Sequence, residues 1–169
     1  MPVELRTLEH EHAEAHCAGE DELTVRWLSG DFGTIEGTRA YFDTLAENAA
    51  ASRGKRGFGV WLDRRLAGYV DCDPDNADGL KPEEVNISYS VHPWARGRGV
   101  ALEAIRLICD YIRQGEIGSR AAIRVEPENT ASIRVAEKSG FRFVRTFAST
   151  TDTHDDGTPI TLALYVLDL

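Results

Sequence analysis

The sequence predicts a mixed α/β sandwich, a mostly antiparallel sheet flanked by helices with one βαβ unit at its centre. Three observations carry this. Val85, Ile87, Tyr89 and Val91 alternate with Asn86, Ser88 and Ser90, the period of a half-buried strand. From Ala101 the apolar spacing becomes helical, with Ala101, Ile105, Ile108, Tyr111 and Ile112 on one stripe, and the short apolar strand Ala121–Val125 follows. On either side lie hairpin signals. Gly57–Leu62 and Leu66–Asp71 flank the polar tip Asp63-Arg64-Arg65, and Phe141–Ala148 with Thr161–Leu167 closes the chain. At 169 residues the size prior gives a single domain, 1–169, with room for a full core.

Taken in order, Val3–Arg6 reads as a short strand and Leu8–Ala18 as a polar helix. His12 and His16 share a face of that helix. The zinc pattern H-E-x-x-H is absent and no third ligand has helper spacing, so no metal site is expected. Asp21–Leu28 is a short helical segment with Leu23, Trp27 and Leu28 inward. Gly30, Gly33 and Gly37 mark loop. Thr38–Ala51 is a helix with Tyr41, Phe42, Leu45 and Ala49 on one stripe, closed by Gly54. After the first hairpin, Asp73–Pro82 is loop by its turn residues. Gly115 ends the central helix. Glu126-Pro127-Glu128-Asn129 turns the chain into a helix over Thr130–Ser139, which Gly140 ends in the left-handed cap position. The loop Thr150–Pro159 joins the last two strands.

Between the central strand and its helix lies Arg96-Gly97-Arg98-Gly99-Val100-Ala101. Glycines let a backbone approach a ligand closely, and the free N–H groups of a first helical turn form an anion site suited to a pyrophosphate. The loop lacks the G-K-[ST] ending of a nucleoside-triphosphate loop. Glu103 stands where a dinucleotide fingerprint needs its third glycine. The pattern R/Q-x-x-G-x-G/A is met by Arg96, Gly99 and Ala101. Here the chain resembles the GCN5-related N-acetyltransferases, the GNAT family, and the string S-Y-S-V-H-P-W-A-R-G-R-G-V-A-L-E-A resembles its RimJ/RimL-like branch. A second segment is similar to N-x-x-S … E-K-x-G-F of the same family: Asn129-Thr130-Ala131-Ser132, then Glu137-Lys138-Ser139-Gly140-Phe141. Helix capping alone also accounts for Asn129 and Gly140. The order of the two segments supports the resemblance, which runs from Val85 to Val144.

The resemblance implies the GNAT fold, with the sheet splayed between strands 4 and 5 to admit a pantetheine arm. It implies acetyl-CoA as cosubstrate, no metal, and transfer to a primary amine in a ternary complex. The acceptor is a protein N-terminus or a small amine, and a homodimer is compatible with the fold. A non-catalytic acyl-CoA-binding module on the same fold is the rival reading. Cofactor contacts are expected from Val91, His92, Arg96, Gly97, Arg98, Gly99, Val100, Ala101, Asn129, Ser132 and Lys138, with Arg134 beside Lys138. A strand N–H near Ser90–His92 is the expected oxyanion donor. Relatives often place a Tyr acid before Glu137-Lys138; Ala136 stands here, so Ser132 takes that role. The strand position where this branch often has a glutamate is Asn86. The base therefore stays open among Glu126, Glu84, His92, Asp152, His154, Asp155 and ordered water. The early region Gly19–Gly57 is expected to wall the acceptor site.

The formal net charge of −9 argues against a nucleic-acid surface and suits a cationic acceptor. No apolar run reaches membrane length and no secretory leader is visible. The three cysteines are odd in number and unpaired in spacing, which suggests reduced thiols in a cytoplasmic protein.

Overall fold

The computed structural model describes residues 2–169. One seven-stranded sheet runs in the order β1-β2-β3-β4-β5-β7-β6. Its strands are β1 Val3–Arg6, β2 Arg56–Leu62, β3 Arg65–Asp73, β4 Glu84–Val91, β5 Arg120–Val125, β6 Arg142–Thr153 and β7 Pro159–Asp168. Every pairing is antiparallel except β4–β5, which is parallel and covers only Glu84–Asn86 against Arg120–Ala122. Beyond Asn86 the two strands part. A crossover helix forces a parallel pair here, and the short register leaves a gap at the carboxyl ends of both strands. The expected splay is therefore present.

Helices α1 Ala13–Ala18, α2 Glu22–Thr24 and α3 Ile35–Ala50 precede β2, α4 Val100–Gln114 joins β4 to β5, and α5 Thr130–Lys138 follows β5. Helix α4 packs on β1–β4 and buries Ile105, Ile108 and Ile112 against Val60, Val70, Val85 and Ile87. Each such side chain contributes about 1.5–3 kcal/mol by leaving water. The opposite face of β2 and β3 carries α1 and α3, with Leu8, Ala13, Phe42, Leu45, Leu66 and Tyr69 as a second core.

Several boundaries differ from expectation, each for a local reason. Helix α1 starts only at Ala13; His10–His12 is a 3-10 turn, fixed by the Glu9 N–H donating to His12 Nδ1 at 2.9 Å. The segment after Asp21 splits into α2 and a π-turn, Val25–Ser29, ended by Gly30 at φ 75°. Helix α3 begins at Ile35, because Thr34 caps it by accepting from the Gly37 N–H at 3.0 Å; Gly37 is helical, not loop. Its buried stripe is Thr38, Phe42 and Leu45, while Tyr41 and Ala49 are exposed. In α4 the expected Ile105, Ile108 and Ile112 are buried and are joined by Val100, Ala104 and Cys109, while Ala101 and Tyr111 are only half-buried. The expected loop Thr150–Pro159 shrinks to a turn over residues 154–158. Strand β6 continues to Thr153, and its C-terminal part is tied down by Asp78: Ser149 Oγ and the Thr150 N–H donate to that carboxylate at 2.7 and 2.8 Å.

Candidate active site

Strand alternation divides β4 between two cavities. Ile87, Tyr89 and Val91 face the α4 and α5 side, while Asn86, Ser88, Ser90 and His92 face α1–α3. On the first side the gap between β4 and β5 opens into a cleft of about 700 Å³, bounded by the α4 and α5 starts and roofed by Leu23 and Trp27. On the second side lies a cavity of about 980 Å³. The two share Thr24, Trp27, Leu28, Ser88, Ser90 and Arg124, so they meet across β4 where its pairing with β5 ends.

The cleft's floor is the start of α4. Gly97 and Gly99 have φ 73° and 76°, a region costly for side-chain-bearing residues, and a Cβ on either would meet nothing within 4 Å. The first intrahelical bond runs from the Glu103 N–H to Gly99 O, so the N–H groups of Val100, Ala101 and Leu102 have no helical partner. Gly97, Gly99, Val100, Ala101, Val91, Asn129, Ser132, Arg134 and Lys138 all line this cleft. An open anion cradle with Arg134 and Lys138 on the same lining is chemically suited to a phosphate-bearing ligand.

Arg96 also lines the cleft, yet its guanidinium is engaged elsewhere. It donates to both Asp21 oxygens, at 2.6 and 2.9 Å, and to Val91 O at 3.0 Å. This bonding holds the Asp21 carboxyl well below the usual range. Asp21 in turn caps α2 by accepting from the Thr24 N–H at 3.0 Å. Arg96 therefore ties the roof to the glycine loop rather than offering free charge. Arg98 is exposed and outside the cleft wall.

His92 is a correction. It lies outside the cleft and lines the second cavity, because alternation sends its side chain to the other face. Its N–H donates to Ala67 O at 2.7 Å, which removes it as an oxyanion donor. Successive strand amides point to opposite sides, so the Val91 and Tyr89 N–H groups face the gap instead. The His92 ring is buried over Gly19, where a Cβ would lie 2.1 Å from it. Burial pushes its pKa down to about 4.

Asn129 caps α5 by accepting from the Ser132 N–H at 3.2 Å. That cap sets Ser132 on the first turn, where its Oγ lies 2.7 Å from the Tyr89 hydroxyl. Sequence reasoning missed Tyr89, although its place on the apolar side of the alternation, next to the loop, was the available signal. Burial raises its pKa, so it is a protonated hydroxyl at neutral pH.

The remaining candidates for a base are not brought together with the junction. Asn86 is buried in the second cavity; its Oδ1 accepts from Arg124 Nε at 3.1 Å and its amide donates to Ser88 Oγ at 3.3 Å. Glu126 lines neither cavity, because it sits in the turn beyond β5. Glu84 is buried and accepts from the Lys81 N–H at 2.9 Å. His154 and Asp155 lie in the exposed β6–β7 turn. Asp152 does line the second cavity, 3.9 Å from Arg124.

The second cavity is walled by the π-turn, the start of α3 and the loop after β3. Its charged lining includes Glu20, Asp31, Asp71, Asp75 and Asp78 beside Lys55 and Arg124. All three cysteines are free thiols; burial pushes Cys72 up to about 12 and Cys109 up to about 11, so neither is a ready nucleophile. Among the described residues no group of three His, Cys, Asp or Glu could hold a metal ion, and no helix is long and apolar enough to cross a membrane.

Comparison with known proteins accords with this geometry. A family model described as an acetyltransferase (GNAT) domain matches residues 3–142. The uncharacterized protein YkkB of Bacillus subtilis (strain 168) is 33% identical over 102 residues, 56% of this chain and 58% of that protein. The probable N-acetyltransferase YjcK of the same strain is 31% identical over 113 residues, 66% of this chain and 61% of that protein. The matches thus span about three fifths of these relatives' lengths. Among solved structures, the microcin C7 self-immunity acetyltransferase MccE, in complex with acetyl-CoA and AMP, superposes with a TM-score of 0.80 at 14% identity, covering 99% of this chain and 92% of that one. RimL, a ribosomal L7/L12 α-N-protein acetyltransferase in complex with coenzyme A, gives 0.79 at 15% identity over 99% and 94%. Mycobacterium smegmatis RimJ, with CoA-disulfide, gives 0.80 at 22% identity over 98% and 81%. At these identities the likeness is one of fold.

Proposed function

Because the chain belongs to the acetyltransferase (GNAT) family, we propose that it transfers an acetyl group from acetyl-CoA to a primary amine by direct attack in a ternary complex. The observation that carries this reading is the junction of two cavities across β4, with the Ser132–Tyr89 hydroxyl pair on the cofactor side. One cavity suits the donor and the other the acceptor, so the two reactants approach from opposite faces of one strand.

The residues divide the work as follows. The N–H groups of Val100–Leu102 hold the pyrophosphate, with Arg134 and Lys138 on the phosphate-bearing wall. The gap-facing N–H groups of Val91 and Tyr89 suit the pantetheine and the developing oxyanion. Ser132 donates to the leaving sulfur, and Tyr89 orients the Ser132 hydroxyl through their 2.7 Å contact. A protein N-terminus and a small amine both remain within this reading.

The test is turnover of an amine panel followed by release of CoA thiol, with Ser132→Ala and Tyr89→Phe alongside. Ser132→Ala is expected to lower kcat by about 10²-fold or more, the scale of general acid catalysis. Acetyl-CoA binding without turnover of any amine would instead favour a non-catalytic acyl-CoA-binding module.

A further inference from the structure

Resting on that transfer reading, we propose that Asp71 is the proton acceptor for the incoming amine, and that the acceptor enters as an ammonium ion. Asp71 stands on β3 in register with Ser88 of β4, and cross-strand neighbours on one face hold their Cβ atoms about 4.5–5.5 Å apart. Ser88 lines both cavities, two residues beyond the last β4–β5 pair. The carboxylate thus lines the acceptor cavity beside the point where the donor cleft opens into it.

Its bonding is one-sided. Tyr69 OH donates to Asp71 Oδ2 at 2.9 Å, and Lys55 Nζ lies 3.7 Å from the same oxygen. Tyr41 OH, from α3, lies 2.8 Å from Tyr69 OH and completes the cluster. Asp71 Oδ1 is buried with no hydrogen-bond partner. The Asp71 side chain is only 3% exposed. A buried carboxylate oxygen without a donor is costly to keep, and an ammonium N–H is the donor that completes it. The Tyr69 and Lys55 contacts engage only its neighbour, Oδ2.

The groups around Asp71 tune it for this work. Burial pushes its pKa up to about 6, against the downward pull of Lys55, Tyr69 and the Ser88 backbone; Asp73 on the same strand adds a further upward push. An acid of this strength is ionised at neutral pH and near the optimum for general base catalysis. Glu20, Asp31 and Asp75 on the cavity lining supply the field that draws a cation inward.

The atoms balance. An ammonium proton moves to Asp71 Oδ1, and the freed nitrogen lone pair forms the C–N bond to the thioester carbon. The C–S bond breaks, its electron pair leaving on sulfur. Sulfur is protonated from Ser132, which is resupplied by the second proton lost from nitrogen. Asp71 returns its proton to solvent on product release, so one proton is liberated per amide formed.

The test measures kcat/KM against pH for serine-initiated tetrapeptide, spermidine and phenethylamine acceptors. Asp71→Asn and Lys55→Gln are run beside the wild type, each checked for acetyl-CoA binding. For the wild type an acidic limb near pH 6 and a plateau above it are expected. Asp71→Asn should lower kcat/KM by about 10²-fold or more, abolish that limb and leave acetyl-CoA affinity unchanged. Lys55→Gln, by removing a cation from Oδ2, should move the limb upward by about half a unit or more. Activity of Asp71→Asn within tenfold of wild type, or a limb that Lys55→Gln leaves in place, would overturn the role of Asp71 while leaving the transferase reading intact. Should Asp71→Asn fail to fold, the Lys55→Gln limb decides alone. A wild type that binds acetyl-CoA but turns over none of the three acceptors would overturn both.

Discussion

Gly99 gives the sharpest test of how the glycine loop before α4 is built. It holds φ 76° at the cap of α4, and a Cβ there would meet nothing within 4 Å. In Gly99→Ala the whole penalty is therefore conformational, about 1–2 kcal/mol for a left-handed alanine. If the loop keeps its shape, the free protein loses that stability, a fall in Tm of about 2–8 °C for a chain of this size. If the loop relaxes instead, the free protein keeps its Tm and binding must restore the strained shape. Affinity for acetyl-CoA then falls by about fivefold to thirtyfold. The two losses are linked, so the liganded protein is destabilised by the same amount in either case. Gly157 provides the control: φ is 82°, its Cβ would also meet nothing, and it lies in the β6–β7 turn. Gly157→Ala should cost similar stability with no change in affinity. Differential scanning calorimetry with and without acetyl-CoA, joined to titration calorimetry, measures both quantities. A Gly99→Ala protein with wild-type Tm and wild-type affinity would refute the reasoning.

Three further outcomes follow from the packing and charge. Gly19→Ala would place a Cβ 2.1 Å from the buried His92 ring, and overpacking of this kind costs about 1–3 kcal/mol; urea titration should show the loss, and combining it with His92→Ala should recover part of it. Ile108→Ala empties a fully buried position under the sheet and should cost about 2–5 kcal/mol with the urea slope unchanged. The Asp21 carboxyl is depressed by Arg96, so its stabilisation is present above the unfolded carboxyl pKa of about 4 and is lost as pH falls below that value; the Tm gap between wild type and Asp21→Asn should be open at neutral pH and narrow as pH drops through about 4 to 3.

Much of the fold was legible because its signals are local. Alternation from Val85 to Val91, the helical switch at α4 and the Gly140 cap at φ 88° each depend on neighbouring residues. The cleft between β4 and β5 was legible for the same reason: Gly97, Gly99, Asn129 and Ser132, which line it, act through backbone conformation and capping. The errors lie where long-range contacts decide. Arg96 reads as a free cation until Asp21 is folded against it. His92 follows the loop in sequence but faces the opposite cavity. The β6 extension depends on Asp78, which arrives from a distant loop. Asp71 reads as the polar end of a hairpin strand, and only the packing of Tyr41, Tyr69 and Lys55 around it makes it a one-sided buried carboxylate.

We propose that the cleft between β4 and β5 is a cradle for acetyl-CoA. Titration calorimetry of the purified protein with acetyl-CoA tests it directly. One equivalent should bind, and the Tm should rise by an amount set by the concentration relative to Kd. No binding heat and an unmoved Tm at millimolar acetyl-CoA would contradict the claim.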